Sequence, residues 1–157
     1  MTERFSPEYI DFVTKCEPIQ ALWRKRGVWV GDWIWRAVVY EDVRMIVKIE
    51  KPNIQDIAAY LDNGRRLYRR HLKKPELIAW LPTLSDLLDL IIQANKECDE
   101  RADLTELAYV YDDNSWGVAD WCDGVVIRDG GWNDDSELAA ARLLERVLAG
   151  KEDQNGS

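Results

Sequence analysis

Four kinds of side chain in this 157-residue sequence could do chemistry or grip a ligand: one histidine, three cysteines, a cationic block and a run of carboxylates. His71 is the only imidazole, the side chain that most often serves as a general base near neutral pH. It stands in "RRLYRRHLKK", where six of the ten residues from 65 to 74 are Arg or Lys. Those cations disfavour its protonation, and no Ser or Cys lies at a spacing that suggests an activated nucleophile. Cys16, Cys98 and Cys122 are odd in number and far apart, with no C-x-x-C pair, so neither a disulfide framework nor a zinc site is expected. The glycine-bearing stretches "DNG" and "DGG" lack the spacing of a phosphate loop. The residues therefore predict no catalytic group, no cofactor and no metal.

A calcium loop is the nearest metal pattern, and it fails. In "DDNSWGVADWCD" Asp112, Asn114, Gly117 and Asp120 occupy loop positions 1, 3, 6 and 9. Position 5 is Trp116, however, and position 12 is Asp123 where a bidentate Glu is wanted. A hairpin turn rich in Asp and Asn explains the stretch better.

Charge is unevenly placed in a chain of net charge −8. Residues 20–80 carry 13 Lys or Arg against 7 Asp or Glu, giving +6, and residues 97–137 carry 2 against 13, giving −11. The basic block could track a phosphate backbone, with Tyr68 stacking on a base. The surrounding negative field opposes that approach, so the expected role is a solvated face or a surface for a protein. The acids Asp112, Asp113, Asp120, Asp123, Asp129, Asp134, Asp135 and Glu137 could imitate spaced phosphates on a host defence protein. Asp134 and Asp135 are better read as the cap and first-turn acids of a helix.

Eight tryptophans are many for this length. Trp29, Trp33 and Trp35 share strand parity with Gly31 and could form an aromatic strip, though core packing is the default and is expected for Trp33 and Trp80. Trp132, between Gly131 and Asn133, is the one expected to be exposed. The interaction surface expected from sequence is thus Arg65, Arg66, Arg69, Arg70, Lys73, Lys74 and Trp132.

The elements that must position these residues can be read from periodicity and caps. Ser6, Pro7 and Glu8 predict a helix toward Cys16, and Pro18 a second helical segment closing near Gly27. "WVGDWIWRAVVY" and "RMIVKIE" read as strands, the second with Met45, Val47 and Ile49 on one face. Asn63-Gly64 favours a hairpin joining "IAAYLD" to "RRLYRRHL", although Leu67, Tyr68, His71 and Leu72 also recur at helical spacing; the hairpin is the preferred reading. Thr83 and Asp86 have capping-box spacing, and Leu84, Leu87, Leu88 and Ile91 form one stripe, predicting a helix over 84–96. Three short strands in "ELAYVYDDNSWGVADWCDGVVIRDGG" and a helix ending at Gly150 complete the chain.

The fold class is therefore α+β: an N-terminal helical segment, a small bent antiparallel β unit with an SH3-like form as one option, a helix, a three-stranded antiparallel sheet and a C-terminal helix. Residues 1–150 are expected to form a single domain, with 1–97 and 103–150 as conceivable subunits, and 151–157 a disordered tail. With 46% apolar and 32% charged residues, no apolar run near membrane-span length and no apolar leader, a cytoplasmic protein without a membrane partner is expected.

Three stretches, "FVTKCEPIQALWRKRGVWVGDWIW", "VRMIVKIE" and "IAWLPTLSDLLDLI", resemble small uncharacterised proteins of tailed phages and prophages of Gram-positive bacteria. The likeness covers roughly residues 12–92 and rests on Ile19, Gln20, Trp23, Gly31, Asp32, Trp33, Trp80, Leu81 and Pro82, a "GDW" strand and a "WLP-x4-L" strand-to-helix junction. Such proteins more often have Gln and Arg where this chain has "LPTLSDLL". The resemblance implies a genomic setting and a β reading of the middle region; it carries no activity. The expected function is a non-enzymatic phage or prophage accessory protein that binds another protein. A nucleic-acid binder using the basic segment, or an acidic nucleic-acid mimic, is the alternative, with an enzyme of unrecognised class third.

Overall fold

Local sequence starts and stops each helix. Ser6 Oγ accepts a bond from the Tyr9 N–H at 3.2 Å and so caps α1 (Pro7–Lys15). Helix α2 (Glu17–Arg26) has a proline in its first turn and ends where the Gly27 N–H bonds the Trp23 carbonyl at 2.8 Å. The capping box forms in full at α3 (Leu84–Lys96): Asp86 N–H donates to Thr83 Oγ1 at 3.2 Å, and Thr83 N–H donates to Asp86 Oδ2 at 3.0 Å. Asp135 Oδ1 accepts from the Leu138 N–H at 2.6 Å at the start of α4 (Ser136–Asn155).

The strands are β1 (Trp33–Val38), β2 (Val43–Lys51), β3 (Ile57–Leu61), β4 (Arg66–Tyr68) and β5 (Ile78–Trp80), then β6 (Leu104–Val110), β7 (Ser115–Cys122) and β8 (Val125–Asn133). The structure, a computed structural model, describes residues 4–38, 43–51, 57–61, 66–68, 70, 78–98 and 100–155. It is α+β, in the element order expected from sequence. No helix among the described residues is long and apolar enough to cross a membrane.

The chain divides into two compact units, Ile10–Pro82 and Met1–Tyr9 with Thr83–Ser157. The divide falls after Pro82; the sequence led to a single domain over 1–150, with 1–97 and 103–150 only as conceivable subunits. Backbone of α4 also continues through 151–155, where a disordered tail was expected.

In the unit Ile10–Pro82 an antiparallel sheet has strand order β4-β3-β2-β1-β5. The last strand, β5, returns to pair antiparallel with the first, β1. Ile34 pairs with Val47 on one side and Trp80 on the other, and all three are buried. Because side chains alternate along a strand, Trp33 and Trp35 point away from that core. This corrects the expectation for Trp33: it is half-buried, with the Lys48 ammonium 5.5 Å from its ring centre. Trp80 is in the core as expected, 1% exposed. The hairpin reading of the basic block holds at β4, where Arg66 pairs with Tyr60 and Tyr68 with Ile57. Its Asn63-Gly64 turn lies outside the described residues.

In the other unit β6, β7 and β8 form an antiparallel meander. Helix α4 packs on β7 and β8 and on α3, through buried Ala139, Leu143, Leu144 and Val147. Its contact with β8 is close enough that a Cβ on Gly130 would strike the Ala139 carbonyl oxygen.

Candidate functional site

Plain alternation along β8 would put Asp129 and Trp132 on opposite faces of the sheet. The observed register breaks the rule. Asp129 pairs with Ala119 and Trp132 with Gly117, so three steps along β8 match two along β7. Gly131 absorbs this bulge: its φ is +72°, in the left-handed region open to glycine, and its N–H bonds Asp129 Oδ1 at 2.9 Å. The extra residue turns Trp132 onto the face away from α4, where it is 61% exposed.

Gly117 lies beneath that indole. A Cβ built there would stand 2.7 Å from Trp132 Cζ3 and 2.8 Å from Cε3, so only a bare backbone lets the ring rest on the sheet. The pairing arranges this face in three rows: Ala108, Gly117 and Trp132; Glu106, Ala119 and Asp129; Leu104, Trp121 and Val126. The small residues of β7 leave a groove of about 230 Å³ with a tryptophan at each end and a carboxylate on each side of Ala119. Leu104 and Val126 are exposed at its lower end. The Trp121 indole N–H is enclosed and has no acceptor among the described residues.

Glu106 has no ion pair or hydrogen bond among the described residues. Asp129 accepts the Gly131 N–H and has one loose ion pair, 3.9 Å from Arg146 Nη1, with both side chains more than half exposed. Such a pair contributes little and is easily exchanged for a better partner. The groove is thus an apolar floor edged by available negative charge.

The opposite face is locked. Asp120, 0% exposed, accepts from Thr105 Oγ1 at 2.6 Å, Asn95 Nδ2 at 3.0 Å and Arg128 Nε at 3.3 Å, and Arg128 Nη2 donates to Asn95 Oδ1 at 2.6 Å. A buried carboxylate with this many donors is structural, and it ties β6, β7, β8 and α3 into one rigid platform.

In the unit Ile10–Pro82, Asp32 plays a similar part. Its carboxylate accepts from the Trp29 N–H at 2.9 Å, from Trp23 Nε1 at 3.2 Å and from Arg26. The Arg26 guanidinium also stacks 4.1 Å from the centre of the exposed Trp29 ring and 4.8 Å from that of Trp80. The aromatic strip of Trp29, Trp33 and Trp35 is therefore partly capped by cations of its own unit.

Of the residues expected to form an interaction surface, Trp132 is where the sequence placed it. Arg66 lies in β4, and Arg70 is exposed, its guanidinium 4.8 Å from the Tyr68 ring. Arg65, Arg69, Lys73 and Lys74, with His71, lie outside the described residues. The calcium-loop positions are dispersed: Asp120 is buried in its network, Gly117 is under Trp132, and Asn114 accepts from the Tyr109 hydroxyl at 2.9 Å. Asp103, just before β6, and Cys122 and Asp123, at the end of β7, do bring ligand atoms within 4.8 Å of one another. Among the acids, Asp112, Asp113, Asp123, Asp129 and Asp134 are exposed, Asp135 is a helix cap, and Glu137 faces Arg4 at 3.5 Å.

Sequence reasoning missed Glu106, Ala108, Ala119 and Trp121. The signal was present in "WGVADW", where glycine and alanine between two tryptophans share one strand parity. Compared with known proteins, the chain matches no protein-family model, no curated protein and no solved structure.

Proposed function

We propose that this chain is a cytoplasmic accessory protein of phage or prophage type that binds another protein through the open face of its β6–β8 sheet. The observation that carries the reading is Trp132, a large apolar side chain held outward by a glycine bulge over a glycine floor. Exposing an indole costs roughly 2 kcal/mol or more of forgone burial, so a fold that spends two glycines to do it is arranged for contact. Indoles of this kind are the common anchors of protein interfaces. The buried carboxylates Asp32 and Asp120 are saturated by donors of their own units, which favours binding over catalysis. Affinity capture from the source cells, with wild type and Trp132→Ala as parallel baits, tests the reading. A protein retained by wild type and lost from the variant is expected; capture indifferent to Trp132, or retention of nucleic acid at about 150 mM salt, contradicts it.

A further inference from the structure

We infer that the groove between Trp121 and Trp132 takes an arginine side chain presented by the partner protein. This rests on the reading of the open sheet face as a binding surface and names the chemistry it recognises. Three observations converge on a planar cation.

The first is the stacking platform. The six-membered ring of Trp132 lies over Gly117, and the side chain is 61% exposed, so the indole is open to solvent. A guanidinium stacks on such a face and is attracted by its electron-rich π system.

The second is charge. Glu106 and Asp129 sit in the row next to Trp132, on either side of Ala119, and each can accept from the guanidinium fork. Glu106 has no partner among the described residues, and Asp129 holds Arg146 only at 3.9 Å. Residues 97–137, Glu106 and Asp129 included, carry a net −11, a negative field that favours the approach of a cation.

The third is internal precedent. Arg26 in the other unit stacks on Trp29 while pairing with Asp32, the same combination of indole, guanidinium and carboxylate closed within the chain. On the open sheet face the indole and the carboxylates are present, the chain's own Arg146 reaches Asp129 only at 3.9 Å, and a guanidinium from the partner would complete the set. Lysine offers a point charge without the plane, so arginine fits better.

The test uses capped five-residue peptides of alternating threonine and valine with a central arginine, lysine or citrulline. Binding is followed on the full chain through the indole N–H resonance of Trp132. Arginine is expected to bind at least roughly tenfold more tightly than citrulline, the neutral isostere, with lysine between. Glu106→Gln and Asp129→Asn should each weaken the arginine peptide about threefold to tenfold and leave citrulline unchanged, with far-UV circular dichroism confirming that both variants fold. Equal binding of arginine and citrulline, or indifference to both carboxylates, overturns the inference. If those results come with peptide binding that Trp132→Ala abolishes, the face is a docking surface for an apolar segment, and the broader reading survives alone. Self-association that displaces the peptides would assign the groove to a second copy and overturn it as well.

Discussion

The side-chain amide of Gln20 completes the backbone of Trp80: its Oε1 accepts from the Trp80 N–H at 2.8 Å and its Nε2 donates to the Trp80 carbonyl at 3.0 Å. A helix side chain thus acts as the missing neighbouring strand for β5, with a second Nε2 bond to the Val13 carbonyl at 2.9 Å. Gln20 and Trp80 are both buried, so no solvent can substitute. Gln20→Ala is expected to cost about 2 to 4 kcal/mol, from one donor and two acceptors stranded out of water. Trp80→Ala should cost roughly 3 to 5 kcal/mol through the cavity it leaves. Urea unfolding measures both, and an unchanged midpoint for either would remove it from the core.

Two glycines that look alike in sequence should behave differently. At Gly130 an added Cβ meets main chain of α4, which cannot step aside, so Gly130→Ala should destabilise by roughly 1 to 3 kcal/mol. At Gly117 the obstacle is the Trp132 ring, a side chain free to swing outward. Gly117→Ala should leave stability within about 1 kcal/mol of wild type while shifting the Trp132 fluorescence to longer wavelength. Equal stability losses would mean that Trp132 is pinned by more than the floor beneath it.

How far such features could be read from residues follows from their range. The Thr83/Asp86 capping box, the Asp135 cap and the α3 stripe are local, spanning about one helical turn to a few, and were legible. Trp33 was misplaced because strand parity says which residues share a face and not which face is covered. Trp132 was expected to be exposed from its small polar neighbours, but its alignment with Glu106 and Asp129 depends on a bulge that exists only in the pairing of β7 with β8. The Gln20 clamp joins residues sixty apart in sequence and left no local trace.

Stability should fall on the alkaline side through Tyr9. Burial first, and then the charges of Glu137, Asp135 and Asp86, raise its phenol well above the ordinary 10.0. Above that pH the unfolded chain gives up a proton that the folded chain keeps, so stability declines as pH rises; below it Tyr9 contributes no pH dependence. Unfolding free energies from about pH 8 to about pH 11 should show a shallower decline in Tyr9→Phe than in wild type. An identical slope would place the phenol in water.

Cysteine reactivity offers a second electrostatic check. Cys16 and Cys98 are buried and Cys122 is partly exposed, all three as free thiols. Desolvation, then the carboxylates of Asp123, Asp103 and Glu100, push the Cys122 thiol up from 9.0. Since the thiolate is the reacting form, Cys122 should label slowly near neutral pH, and Asp103→Asn with Asp123→Asn should speed it severalfold. Unfolded, unreduced protein should titrate three thiols; one would reveal a disulfide.

The most direct measurement of the central claim is photo-cross-linking in the source cells, with a photoreactive phenylalanine analogue incorporated at Leu104 or Val126 on the edge of the groove, or at Arg70 beside β4. Leu104 and Val126 are exposed apolar residues on the rim of the open sheet face, and Arg70 samples the basic segment. A discrete protein adduct from 104 and 126, abolished by Trp132→Ala and absent from 70, is the result expected. Adducts from 70 with none from 104 or 126 would move the binding surface to the basic segment and contradict the account.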